Sequence, residues 1–215
     1  MAAKIRGVSA FKLINKCQIS RVQLTLCFSD KDFANFEFAH FLTGTHVDEE
    51  QTAPNCINEL KVRLPKIDKT EKSTIDYDKL DRNAHSKVQI VSSIEHEGEV
   101  MKCRQNPFDD QCVASVLTSG VVNIYKKGGN GTLVGKLQGL GDETFCLDWN
   151  KKKQGHIISA VKNTVCVWDV EKNLSGGQLF KIDNAHGESD VNDAKFSPLN
   201  ENLILTSGGD GHYRM

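Results

Sequence analysis

One unit recurs three times along the second half of this chain, and that recurrence limits the possible folds more than any composition does. The copies are HEGEVMKCRQNPFDDQCVASVLTSGVVNIYK from His96, LGDETFCLDWNKKKQGHIISAVKNTVCVWDV from Leu140, and HGESDVNDAKFSPLNENLILTSGGDGHYRM from His186. Gln105, Trp149 and Phe196 hold equivalent places, 44 and then 47 residues apart. Each is followed by Asn-Pro, Asn-Lys or Ser-Pro, a polar turn, and an apolar strand with a small hydroxyl: Ser115, Ser159 or Thr206. A tight turn then leads to a last strand, ending at Ile124-Tyr125 or Trp168-Asp169. A unit of this size cannot hide its own apolar face, so units must stack on one another.

From Val88 onward, apolar runs of four to six residues alternate with Gly, Asn, Asp and Lys: VQIVSSI, VASVLTS, VVNIYK, TLVGKLQ, FCLDW, HIISAV, VCVWDV, NDAKFSP and NLILTS. Short, frequent strands with little helical pattern argue for an all-β sandwich, barrel or propeller. The repeat length selects the propeller, whose blades take about 40–45 residues. Earlier in the chain, VSAFKLINKCQI (8–19) spaces Val8, Phe11 and Ile14 as on one face of a short helix. RVQLTLCFSD, FEFAHFLTG and NELKVRLP alternate as strands, the last stopped by Pro65. KIDKTEKSTIDYDKLDRNAHSK (66–87) is charged and without period, and is expected to be a surface loop. The expected organisation is a helix at 1–20, a divergent first blade at 21–65, the loop at 66–87, and three repeats at 88–215, the last incomplete.

A net charge of -1 gives no global attraction to nucleic acid or an anionic membrane. Basic residues fall in short groups such as Lys151-Lys152-Lys153, expected to be solvated loop. None of the seven cysteines forms a Cys-x-x-Cys pair, so zinc and thioredoxin-type chemistry have no support, and reduced core thiols are expected. The sequence shows no signal-peptide core and no apolar run near membrane-span length. No cofactor and no small-molecule substrate is indicated.

The repeat layout, with His186, a Ser-Pro pair, Asp210 in a turn and Trp168-Asp169, resembles the WD repeat. That resemblance implies a WD40 β-propeller of four-stranded blades. It also implies a hydrogen-bonded set within blades, carried here by Ser159, Trp168, His186, Thr206 and Asp210. No unit has all four residue types: Leu140 stands where His is expected, and Tyr125-Lys126 where Trp-Asp is. About four blades of an expected seven are present, since seven need roughly 280–315 residues. The chain is therefore expected to be a piece of a longer product; the alternative is that another chain supplies the missing blades.

HFLTGTH (40–46), HEGEV (96–100), GHIISA and VCVWD, in this order after an N-terminal helix, resemble the histone-binding WD-repeat family, the retinoblastoma-binding and Msi-type proteins. The resemblance implies a non-enzymatic histone chaperone subunit of chromatin assembly or histone-modifying complexes. Its expected partners are histones H3 and H4, without direct nucleic-acid or membrane contact, in the nucleus and also the cytoplasm. Carried over by position, Glu99 and Glu143 would be carboxylates for a histone-tail Arg or Lys. Phe145 stands at an aromatic position, Lys102 and Arg104 at basic ones, and Asn192 where the family has an acid. Phe11 and Ile14 would line a groove for a histone helix. The alternative is a WD-repeat scaffold of a non-chromatin complex, a ubiquitin-ligase adaptor or a ribosome-assembly factor. Cys146, Asp148 and His156 lie close in sequence but show no positioned base or oxyanion site, and no enzyme is expected.

Overall fold

The computed structural model describes residues 25–33, 36–47, 53–65, 88–138, 141, 144, 146–174 and 177–215. The helix expected at 8–19, with Phe11 and Ile14, and the loop expected at 66–87 lie outside them. Among the described residues every regular element is a β-strand.

The strands form four sheets, each an antiparallel meander in chain order. The first holds β1 (Thr25–Phe33), β2 (Phe36–Gly44), β3 (Asn55–Pro65) and β4 (Val88–His96). The second holds β5 (Lys102–Gln105), β6 (Cys112–Val116), β7 (Val122–Lys126) and β8 (Thr132–Leu137). The third holds β9 (Cys146–Trp149), β10 (His156–Val161), β11 (Thr164–Asp169) and β12 (Gln178–Ile182). The fourth has three strands, β13 (Val191–Phe196), β14 (Ile204–Gly208) and β15 (Tyr213–Arg214). VQIVSSI, the first of the apolar runs, is the last strand of the first sheet: β4 pairs with β3 across the intervening 66–87 segment.

Pairing registers give the repeat its physical meaning. Ser115 lies opposite Cys103, Ser159 opposite Leu147, and Thr206 opposite Ala194. Two positions further along each opening strand stand Gln105, Trp149 and Phe196, the residues that align by sequence. Tyr125 pairs with Val113 as Trp168 pairs with Ile157, so Tyr125 fills the tryptophan place of the second sheet.

The sheets stack face on face. Leu42, Ile57 and Ile94 of the first meet Val100, Cys103, Val113 and Tyr125. Ala114, Val116, Val122 and Ile124 of the second meet Leu147, Trp149, Ile157 and Trp168 of the third. Ile158, Ala160, Val165 and Val167 of the third meet Val191, Ala194 and Phe196 of the fourth. Strand β9 packs against both β5 and β13, so the opening strands gather on one side as an inner layer. In the third sheet β10 and β11 are buried throughout, whereas every residue of β12 is exposed. Strands covered on both faces need no polar alternation, which is why HIISAV and TVCVWD read as nearly continuous apolar runs. The turn joining them is two residues, Lys162 and Asn163, with Lys162 in the left-handed region at φ 50°. These radially stacked meanders are blades, and the fold is an all-β propeller.

Candidate functional site

The connection entering β5 is Glu97–Met101, and it docks on the end of β2 and the residues after it. A Cβ on Gly44 would stand 2.4 Å from the Val100 side chain, so glycine is what lets the two segments close. The Val100 N–H donates to the Thr45 carbonyl at 3.5 Å. Thr45 is tied in turn to β3, its Oγ1 accepting from the Cys56 N–H at 2.7 Å. This docking sets His46 Nδ1 3.1 Å from Glu99 Oε2, both side chains partly exposed. The HFLTGTH and HEGEV segments, 53 residues apart at His46 and Glu99, thus meet as one surface.

Beneath that surface the first histidine of HFLTGTH is held differently. His40 Nδ1 lies 2.8 Å from Glu59 Oε1, and Lys127 donates to Glu59 Oε2 at 2.8 Å and to Gln105 Oε1 at 3.1 Å. All three charged or ionisable side chains are buried. Burial pulls the Glu59 carboxyl upward, but Lys127 and His40 outweigh it and hold the group below the ordinary value. The cluster joins the first sheet to the second.

The intrablade hydrogen bonds fall into separate sets. Trp168 Nε1–H donates to Ser159 Oγ at 3.0 Å. His186 bonds Asp210 Oδ1 through Nδ1 at 2.8 Å and Thr206 Oγ1 through Nε2 at 2.9 Å. Arg214 also reaches Asp210, at 2.6 Å, a partner that the sequence pattern does not signal. His96 makes the matching set in the second sheet. Its Nδ1–H donates to the Gly98 carbonyl at 3.0 Å, leaving Nε2 to accept from Ser115 Oγ at 2.8 Å. Burial pushes the His96 ring below its ordinary pKa. The spacing could have found it: His96 precedes Ser115 by 19 residues and His186 precedes Thr206 by 20.

Lys102 and Arg104 sit on inner strand β5. Lys102 is buried and pairs with Asp193 of the fourth sheet at 3.1 Å, reaching past the intervening third sheet. Lys195 approaches the other oxygen of Asp193 at 3.2 Å. Arg104 donates through NH1 to the Cys103 carbonyl at 2.8 Å, and its own carbonyl accepts from Trp149 Nε1–H at 3.1 Å. Asn192 is exposed near the start of β13. Glu143 and Phe145 lie outside the described residues.

The trio Cys146, Asp148 and His156 is not brought together. Cys146 pairs with Ala160, while His156 pairs with Asp169 at the far end of the ladder. Asp148 is turned to the fourth sheet, accepting from the Phe196 N–H at 3.2 Å. Burial, with the charge of Asp193, pushes the Cys146 thiol up to about 12, far from a nucleophile's range. Among the described residues no group of His, Cys, Asp and Glu could hold a metal ion, and no helix is long and apolar enough to cross a membrane.

No family model matches the chain. Curated relatives do. It is 28% identical over 189 residues to "Histone acetyltransferase type B subunit 2" of Aspergillus oryzae, covering 79% of this chain and 43% of that protein. It is 28% identical over 196 residues to the protein of that name in Gibberella zeae, covering 82% and 45%. It is 29% identical over 177 residues to that of Candida albicans, covering 81% and 41%. The chain spans less than half the length of these relatives. Among solved structures, the β-propeller domain of Myceliophteria thermophila Cps50 (Swd1) is similar, with 20% identity, a TM-score of 0.44, and coverage of 53% of this chain and 33% of that one. HFLTGTH and HEGEV, docked on each other in a bladed fold, lie in a chain that is similar along about four-fifths of its length to relatives named as type B histone acetyltransferase subunit 2, which supports its resemblance to the histone-binding WD-repeat family.

Proposed function

We propose that the chain is a non-enzymatic histone-binding unit of a histone acetyltransferase or chromatin-assembly complex, working in the nucleus. The observation that carries the reading is the similarity to type B histone acetyltransferase subunit 2 proteins along about 80% of the chain. The docked pair of motifs supports it, since it leaves the Glu99 carboxylate partly exposed beside His46 in the connection that enters inner strand β5. A histone tail is rich in Lys and Arg. Charge-assisted hydrogen bonds from a guanidinium or ammonium to Glu99 and Glu143 would supply attraction and geometry. Phe145 would give an apolar wall, and Asn192 a neutral hydrogen-bonding partner. Lys102 and Arg104 would act from the inner strand, Lys102 through the Asp193 carboxylate that it holds. Phe11 and Ile14 would serve a separate groove for a histone helix.

Binding of fluorescent H3 and H4 tail peptides, with pulldown of whole H3–H4, tests this. Tail binding is expected to weaken as salt rises, because exposed charges are screened. Glu99→Lys with Glu143→Lys is expected to weaken it by at least ~30-fold, about 1–3 kcal/mol for each charged hydrogen bond lost. Folded protein that binds neither histone, or binds equally well after both substitutions, refutes the site.

A further inference from the structure

The connection Glu97–Met101 carries Glu99, and the side chains beneath it differ from those at the same places one sheet on. Ser115 pairs with Asn123 as Ser159 pairs with Cys166, and Tyr125 stands where Trp168 does. In the third sheet the Trp168 indole bonds Ser159, and Cys166 is a buried apolar residue. In the second sheet Ser115 Oγ is taken by His96, and the Tyr125 hydroxyl turns elsewhere. It accepts from Asn123 Nδ2 at 3.1 Å, and the backbone of Glu97 reaches the same oxygen in the sense of a donating N–H. Tyr125 also lies beside the His96 ring, the centroids 5.6 Å apart. Asn123 is fully buried, and its Oδ1 meets no hydrogen-bond partner among the described residues. A buried amide left half-satisfied is costly, and Cys166 shows that a blade of this chain needs no amide at that place.

We propose that Asn123 and Tyr125 are positioning residues for Glu99: the amide holds the phenol, and the phenol holds the Glu97 backbone two residues before the carboxylate. The proposal rests on the reading of Glu99 as a carboxylate for a histone tail. Other ties complete the brace. Lys136 holds the Glu97 carboxylate at 2.6 Å, and His96 holds the Gly98 carbonyl at 3.0 Å. Beyond Glu99, the Val100 and Met101 N–H groups donate to the Thr45 and Val116 carbonyls. Glu99 is thus carried on a span tied on both sides. A carboxylate set in place before a guanidinium or ammonium arrives loses less binding free energy to ordering.

Asn123→Val with Tyr125→Phe removes both polar groups together at similar volume, so the urea midpoint should stay close to that of the wild type. A merely structural pair predicts nothing further. Positioning predicts two losses. Hydrogen exchange at the Glu97 amide of the free protein should quicken by at least ~10-fold. Binding of fluorescent H3 and H4 tail peptides should weaken by at least ~5-fold. Glu99→Gln should then cost the double variant a smaller factor in affinity than it costs the wild type, because the changes act on one contact. Circular dichroism confirms folding; where the double variant does not fold, Tyr125→Phe alone is read in the same way. Unchanged exchange at Glu97 overturns the brace. Quickened exchange with unchanged tail affinity overturns its role at Glu99. A wild-type protein that binds neither tail, with exchange quickened in the variant, supports the brace and overturns the histone reading instead.

Discussion

Ser159 and Trp168 show how much one buried hydrogen bond decides. Both are buried, and the indole N–H has Ser159 Oγ as its partner. Ser159→Ala deletes the acceptor without changing the backbone and strands that N–H inside the blade. An unsatisfied buried donor costs about 1–3 kcal/mol, so the urea midpoint should fall accordingly with the m-value unchanged. Ser159→Thr should restore most of the loss, because the hydroxyl returns. The hydroxyl positions were legible in the sequence, since Ser115, Ser159 and Thr206 recur at fixed places in the repeat. Their partners were only partly so. The sequence names His186 and Asp210, but Arg214 joins them through a turn geometry that no local pattern encodes. Cys146 offers a contrasting case. Its buried thiol, pushed up to about 12, should resist iodoacetamide in the native protein at pH 8 and react after unfolding, as peptide mass mapping would show.

At the scale of elements, legibility followed burial. The two-sided interior strands β6, β10 and β11 stand out as apolar runs because both faces are covered. Inner strand β5, KCRQ, does not, because Lys102 and Arg104 lie on it and the pattern looks polar. Outer strand β12 is hidden for the opposite reason: with every residue exposed, nothing forces an alternation. The pairing of β4 with β3 was also illegible, since it rests on a contact across a segment with no pattern of its own. What the family motifs do physically emerges at this scale too. LTGTH and HEGEV are two halves of one joint, and Gly44 is its clearance. Gly44→Ala would place a methyl group into Val100, and overpacking of this kind costs about 1–3 kcal/mol. Val100→Ala in the same chain should recover part of that loss. Thermal unfolding of the two single variants and the double one measures the coupling.

Over the whole molecule, ion pairs tie sheets together and make stability depend on acidity. In Glu59, Asp169, Asp193 and Asp210, burial works to raise the carboxyl, but paired cations and N–H donors outweigh it and each lies below its ordinary value. The unfolded chain therefore takes up protons at these groups before the folded one does. Their contribution is present above the ordinary carboxylate range, roughly pH 4–4.5, and is lost as pH falls through the lower folded values. Asp148, pushed up by burial, works in the opposite sense. His96 and His156, whose rings burial holds below their ordinary value, add an earlier loss that sets in as pH falls through about 6.5, so the urea midpoint should begin to decline between pH 7 and 6 and fall further below about pH 4.5. Lys102–Asp193 is the pair that most directly tests the radial packing, because it joins sheets that are not sequence neighbours. Asp193→Ala leaves the Lys102 ammonium buried without its carboxylate. Breaking a fully buried pair costs about 3–5 kcal/mol, but Asp193 is 37% exposed and water can replace part of its role. A loss of about 1–3 kcal/mol is therefore expected. Lys102→Met should cost less, since it removes the buried charge itself. The double variant should cost less than the sum of the two, with a coupling energy of at least ~0.5 kcal/mol. Strict additivity in that cycle would mean that β5 and β13 do not share the inner layer.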